Sequence, residues 1–244
     1  MNVSVNGPKI LFTIPLFGGI NVTETVVNAW ILMIVILGLC IFLTRGLSVR
    51  NPSKRQIAAE KLYIMLRNLV RDVMGEKNLK YVPYIGTLFT FSIVGSLSSL
   101  VGMRPMTGDL STTLGWALVT FTMVQFTNIR YHGIGGWLKS FTEPVVVITP
   151  LNIIGEIANP ISMAFRHFGN IASGIVITTL VYSALAALSN FVLGFIPNEF
   201  ISSIPIFQIG LPAVLSVYFD LFTSFLQAYI ISMLTMVFVS SAGK

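Results

Sequence analysis

The chain has 244 residues, of which 54% are hydrophobic and only 10% charged, and its mean hydropathy is +0.83. Soluble domains carry about 25% charged residues, so this composition excludes an ordinary soluble domain and points to a membrane protein. The net charge of +6 does not read as a nucleic-acid surface, because nine of the fifteen Lys and Arg fall within residues 45–80, opposed only by Glu60, Asp72 and Glu76. A basic block beside apolar spans is a topology or lipid-surface signal.

Residues 27–44 form the first apolar span. In residues 52–75, Leu62, Met65, Leu66, Leu69 and Val73 share one helical face, with Lys and Arg largely elsewhere, which predicts an amphipathic helix at the membrane surface or against a partner. Ser53 with Gln56 reads as a capping box and Gly75 as a stop. Residues 81–103 and 111–129 are further spans, the latter unusually polar through Thr120, Thr122, Gln125 and Thr127. Residues 137–156 are broken by Pro144 and Pro150 and by Glu143 and Glu156, a pattern that predicts a partial hairpin buried in protein. Asn159–Pro160 reads as a cap with proline at the first helical position, opening a long helix over 160–188. A second long helix covers 212–239. The expected architecture is all-α. A single polytopic domain, 1–244, holds about five membrane-embedded helices and one surface helix, and its two long tilted C-terminal helices form an antiparallel hairpin. The lone Cys40 allows no disulfide within the chain.

With the N-terminus outside and the C-terminus cytoplasmic, twelve basic residues lie inside, while only Lys9 and Arg104 lie outside and Arg166 falls within the membrane. That bias agrees with the positive-inside rule. A bacterial plasma membrane fits this arrangement.

Arg166 is the residue around which the chemistry is read. A charge at mid-membrane costs at least about 2.5–3.5 kcal/mol on insertion scales, so such residues face a water-filled cavity or an interior partner. The alternative is an arginine that snorkels to the interface from an early position in its helix. Ser162, Arg166, Asn170 and Ser173 fall on one stripe, and Ser216, Asp220, Thr223, Ser224 and Gln227 form a second on the final helix. An antiparallel register sets Arg166 opposite Gln227, Asn170 opposite Thr223 and Ser173 opposite Asp220. For Asp220 an idle solvated carboxylate is the competing reading, and for Asn170 and Gln227 it is interhelical hydrogen bonding. No metal-ligand spacing, phosphate-binding glycine loop or activated nucleophile is present, so no catalytic residue, metal or cofactor is expected. What remains is proton or cation transfer along polar side chains.

The segment Pro160-Ile-Ser-Met-Ala-Phe-Arg166-His-Phe-Gly169-Asn170 resembles the signature of subunit a of the rotary F-type ATP synthase, as does Leu226-Gln227-Ala228-Tyr229. The likeness extends upstream through Glu156, Arg104 to Leu110, and the Pro52, Gln56 and Glu60 segment, so it covers nearly the whole chain in order. It implies a stator, itself without an active site, beside a rotating c-ring of small hairpin subunits that carry buried carboxylates, with b-type peripheral stalk subunits completing the complex. Arg166 matches the family's essential arginine, and Asn170, Asp220 and Gln227 join it in ion translocation. The family often has Glu or His nine residues after the arginine, where this chain has Ile175, and His or Glu seven before the glutamine, where it has Asp220. That leaves Asp220 as the relay of the outer half-channel, with Ser173, Ser216, Thr223 and Ser224 beside it. Glu156, Glu143 and Asn152 are candidates for lining the inner half-channel. His167, at a usually apolar position, is either a relay or a buried polar side chain.

Two other functions compete with this reading. An independent transporter also needs intramembrane Arg and Asp, but the chain lacks inverted repeats. A purely structural membrane subunit explains the spans but not two polar stripes. The sequence leaves proton against sodium open.

Overall fold

The computed structural model describes residues 8–15, 19–193, 215 and 217–243. The described chain is overwhelmingly helical, and four helical segments are long and apolar enough to cross a membrane: Glu24–Thr44, Glu76–Val101, Val146–Val192 and Asp220–Ser241. A small antiparallel hairpin of β1 (Ile10–Ile14) and β2 (Ile20–Thr23) precedes them, with Ile10 paired to Thr23 and Ile14 to Ile20.

Helix α1 (Glu24–Thr44) turns only Thr25, Asn28 and Leu32 inward, so most of its apolar surface is open. Lipid removes the hydrophobic drive for such a helix to associate, so polar bonds fix its place. Thr25 Oγ1 donates to Asp109 Oδ2 at 2.8 Å and Asn28 Nδ2 to the Arg104 carbonyl at 3.0 Å.

Helix α2 (Lys54–Met74) begins where Ser53 accepts from the Gln56 amide at 3.3 Å, and stops at Gly75, whose φ of +80° suits glycine. The return arm of the expected capping box is absent, because the Gln56 side chain binds the Ser48 backbone and Glu60 instead. The two halves of α2 differ. Val70 and Met74 are buried in a cluster with Val82, Ile85, Met236 and Val239, whereas Ile57, Leu62, Tyr63, Ile64 and Met65 are more than half exposed.

Helix α3 (Val82–Leu97) is extended by 3-10 turns at both ends, Glu76–Tyr81 and Ser98–Val101. Gly95 leaves room for the Met106 side chain, with which a Cβ there would clash. Helix α4 (Leu110–Thr142) is capped by Asp109, which accepts from the Ser111 amide at 3.0 Å, and breaks at Gly133, whose φ of +69° and ψ of 171° are not helical. It is long enough to span but too polar to rank with the four apolar segments.

Helix α5 (Thr149–Leu193) has 45 residues, about 67 Å at 1.5 Å each, with Pro160 inside it. Here the structure departs from the sequence reading. Pro160 does not open the helix, and residues 137–156 are not a separate partial hairpin. They comprise the arm of α4 beyond Gly133, a short turn with a 3-10 element at Val146–Ile148, and the first two turns of α5. Proline's fixed φ is helical, and its cost inside a helix is a lost bond to the carbonyl four residues back. That carbonyl belongs to Glu156, which borders cavities described below.

Of the second long segment the structure describes residue 215 and residues from 217 onward; Ser216 lies outside the described residues. A π turn, Val217–Phe222, leads into α6 (Thr223–Ser241), and Thr223 Oγ1 bonds the Tyr218 carbonyl five residues back at 2.8 Å. Half of the α6 span is buried, against 11% for α1 and α5, and α6 touches α2, α3, α4 and α5. It is the post around which the other helices stand, tied to α4 by the buried bond between Thr120 and Thr235 at 3.2 Å.

Candidate functional site

Helices α5 and α6 run antiparallel, and two contacts fix their register. Met163 packs in one cluster with Ile231, and Gly174 shares a cavity with Asp220. Both pairs lie within a residue of the register read from the sequence. The facing surfaces differ from that reading, however. Helix α5 buries Met163, Ala164, His167, Ile171 and Gly174, leaving Ser162, Arg166 and Ser173 exposed and Asn170 half-buried. Helix α6 buries Thr223, Ser224 and Gln227. The two polar stripes therefore do not face one another. The apolar flank of α5, with Met163, fully buried Ala164 and Ile171, packs against the bundle and leaves the polar stripe outward.

Arg166 stands 17 residues into α5, about 25 Å from its first turn, because the helix starts at Thr149 and not at Pro160. A snorkelling arginine near a helix end does not describe this position. Exposed apolar side chains stand at its level, Phe165 on α5 and Phe225, Leu226 and Tyr229 on α6, while Ser162 and Ser173 share its stripe. Among the described residues no carboxylate lies within ion-pair distance of Arg166.

Two cavities approach this level from opposite ends. The first lies under the loop of residues 102–109 and is small, about 20 Å³; it holds Asp220, with Ser96, Ser99, Ile175 and Ser224 around it. Ser99 Oγ donates to Asp220 Oδ1 at 3.3 Å. Ser173, expected beside Asp220, instead donates to the Asn170 carbonyl of its own helix at 3.1 Å. Ile175 and Asp220, the two positions where the family's ionisable pair is expected, do border the same space.

The second cavity lies toward the C-terminus, about 230 Å³ lined by Thr120, Asn128, Glu156, Asn159, Met163 and Ser241, among others. It shares Asn128, Glu156 and Asn159 with an adjoining space that also holds Glu143 and Asn152. Glu156 accepts from Gln125 Nε2, and Gln125 Oε1 accepts from Trp137 Nε1 at 2.7 Å. Asn152 donates to the Phe141 and Glu143 carbonyls at 2.8 and 3.0 Å and so braces the turn between α4 and α5. Glu143 is exposed and pairs with Lys139 at 3.4 Å. Ser99, Gln125 and Asn128 were not among the sequence candidates, although the polarity of the third span did mark Gln125.

His167 borders neither cavity. It is 1% exposed, neither ring nitrogen has a hydrogen-bond partner, and its ring meets Trp116 edge-on at 5.6 Å.

Residues 26–240 match the family model described as ATP synthase A chain. The chain belongs to this family. Similar proteins carry the same name. A sodium-ion-specific ATP synthase subunit a of Propionigenium modestum is 30% identical over 98% of this chain and 86% of its own length. An ATP synthase subunit a of Prosthecochloris aestuarii is 33% identical over 93% of both chains, and one of Moorella thermoacetica is 36% identical over 68% of this chain and 76% of its own. Membership of the ATP synthase A chain family, together with the apolar spans, makes this an ion-transporting membrane subunit of an ATP synthase.

Proposed function

We propose that the chain is the stator that passes protons or sodium ions through two offset half-channels to and from the carboxylates of a rotating c-ring. Arg166 carries this reading. A guanidinium stays protonated in any protein environment, and one on the outward face of a membrane-spanning helix cannot rest against lipid. With no carboxylate beside it among the described residues, it calls for one supplied from outside. A ring carboxylate arriving there ionises against Arg166 and releases its ion. Because the guanidinium stays in place, ions do not pass directly from one cavity to the other along the ring face.

The two cavities support the rest of the reading. Asp220 and Ser224 serve the half-channel under the 102–109 loop, while Glu156, Asn152 and Glu143 serve the one toward the C-terminus. Asn170, Thr223 and Gln227 supply further polar groups for ion transfer. Each unit charge crossing gains about 2.3 kcal/mol per 100 mV, which drives rotation and ATP synthesis. The remaining partners are b-type peripheral stalk subunits. The setting is a bacterial plasma membrane with the N-terminus outside and the C-terminus cytoplasmic, as the charge bias favours.

The test is ATP-driven ion pumping in membrane vesicles carrying Arg166→Ala. Pumping and ion-coupled synthesis should vanish while the complex still assembles. Pumping near the wild-type rate would sink the proposal.

A further inference from the structure

Met163, His167 and Ile171 stand one above another on the buried face of α5. Met163 lines the C-terminal cavity and Ile171 the cavity under the loop, so His167 occupies the layer between them. On α4, Trp116 meets the imidazole edge-on and also packs on Phe91 of α3 at 5.9 Å. One turn toward the C-terminal cavity, Leu88 of α3 and Ile231 of α6 pack with Met163 and Trp116.

We infer that His167 and Trp116 form a dry septum inside the subunit that keeps the two cavities from joining behind the ring. This inference rests on the half-channel reading above. Arg166 guards the outward face of α5, but the bundle interior is a second route between the same two spaces, and on that route the described barrier is a layer about two helical turns thick. A proton relay needs a hydrogen-bonded neighbour on each side of the group that carries the proton. The imidazole has none on either nitrogen. What the ring contributes is volume: flat and held edge-on by Trp116, it fills the gap that would otherwise connect Met163 to Ile171.

The test uses the whole complex in vesicles and measures passive ion flux under an imposed potential, with ring carboxylates either free or capped by a carbodiimide. His167→Ala should raise the flux at least tenfold over wild type, and the excess should persist after capping, because it bypasses the ring. His167→Phe, which keeps a ring there, should remain tight and pump within about twofold of wild type. Trp116→Ala opens the same layer from α4 and should leak likewise if His167→Ala assembles poorly. An assembled His167→Ala complex as tight as wild type overturns the septum. Loss of pumping in an assembled His167→Phe complex also overturns it, since the imidazole would then be carrying protons. The half-channel reading stands or falls separately, on pumping by the Arg166 variant.

Discussion

Ser99, just beyond the end of α3, donates its hydroxyl to the Asp220 carboxylate in the π turn before α6, at 3.3 Å and across 121 positions of the chain. The contact fixes where a carboxylate points inside a small polar space. π turns are rare and concentrate at functional sites, and this one carries Asp220.

Asp220→Asn removes the only ionisable side chain among the described residues bordering that cavity and should slow ATP-driven pumping by about tenfold or more. Ser99→Ala leaves the carboxylate but not its donor. A hydrogen bond to a charged group is worth about 1.5–3 kcal/mol, and the partial exposure of Asp220 reduces that toward about 1 kcal/mol. Pumping should therefore fall only several-fold. If Ser99→Ala were as damaging as Asp220→Asn, the serine would itself be carrying the ion.

At the same end of the bundle, Asp109 has two roles. It accepts from Thr25 of α1 at 2.8 Å and from the Ser111 amide at the start of α4 at 3.0 Å. Thr25→Val deletes the first bond and should destabilise the subunit by about 1–2 kcal/mol. Asp109→Ala deletes both, adding about 1 kcal/mol for the lost helix cap. Thermal unfolding of the purified complex, followed as loss of assembled subunit, should rank Asp109→Ala below Thr25→Val and both below wild type. The reverse order would show that the tie between α1 and the loop is not the one described.

The all-helical membrane character was legible because lipid imposes a simple rule: a helix that meets hydrocarbon is apolar along its length. The register of α5 against α6 was legible too, within a residue, from the spacing of polar groups. The face was not. Which side of α5 turns inward depends on how Met163, Ala164 and Ile171 pack against the bundle, and side-chain polarity alone gives no sign of that. Pro160 misled for a related reason, since proline suits both the first turn and a tolerated interior position, and only the neighbouring structure separates the two. Ser99 was out of reach, because nothing in its local sequence distinguishes it from Ser96 or Ser98.

Gly133 sets the direction of the last two turns of α4. Its φ of +69° with ψ of 171° lies in a region that is essentially glycine's alone, so a side chain there costs about 1–3 kcal/mol through the backbone. Crowding plays no part, because an added Cβ would meet nothing within 4 Å. Gly135 makes a close control: its surroundings are equally open and its φ is not positive. Gly135→Ala should be neutral or stabilise by up to about 1 kcal/mol, as alanine favours helix. Gly133→Ala should destabilise. It should also slow pumping, because the arm beyond the kink carries Trp137, which holds Gln125, which in turn holds Glu156. Thermal unfolding and ATP-driven pumping measured on both variants decide the matter. Equal behaviour of the two would mean that the break at Gly133 is not what directs Trp137 toward Gln125.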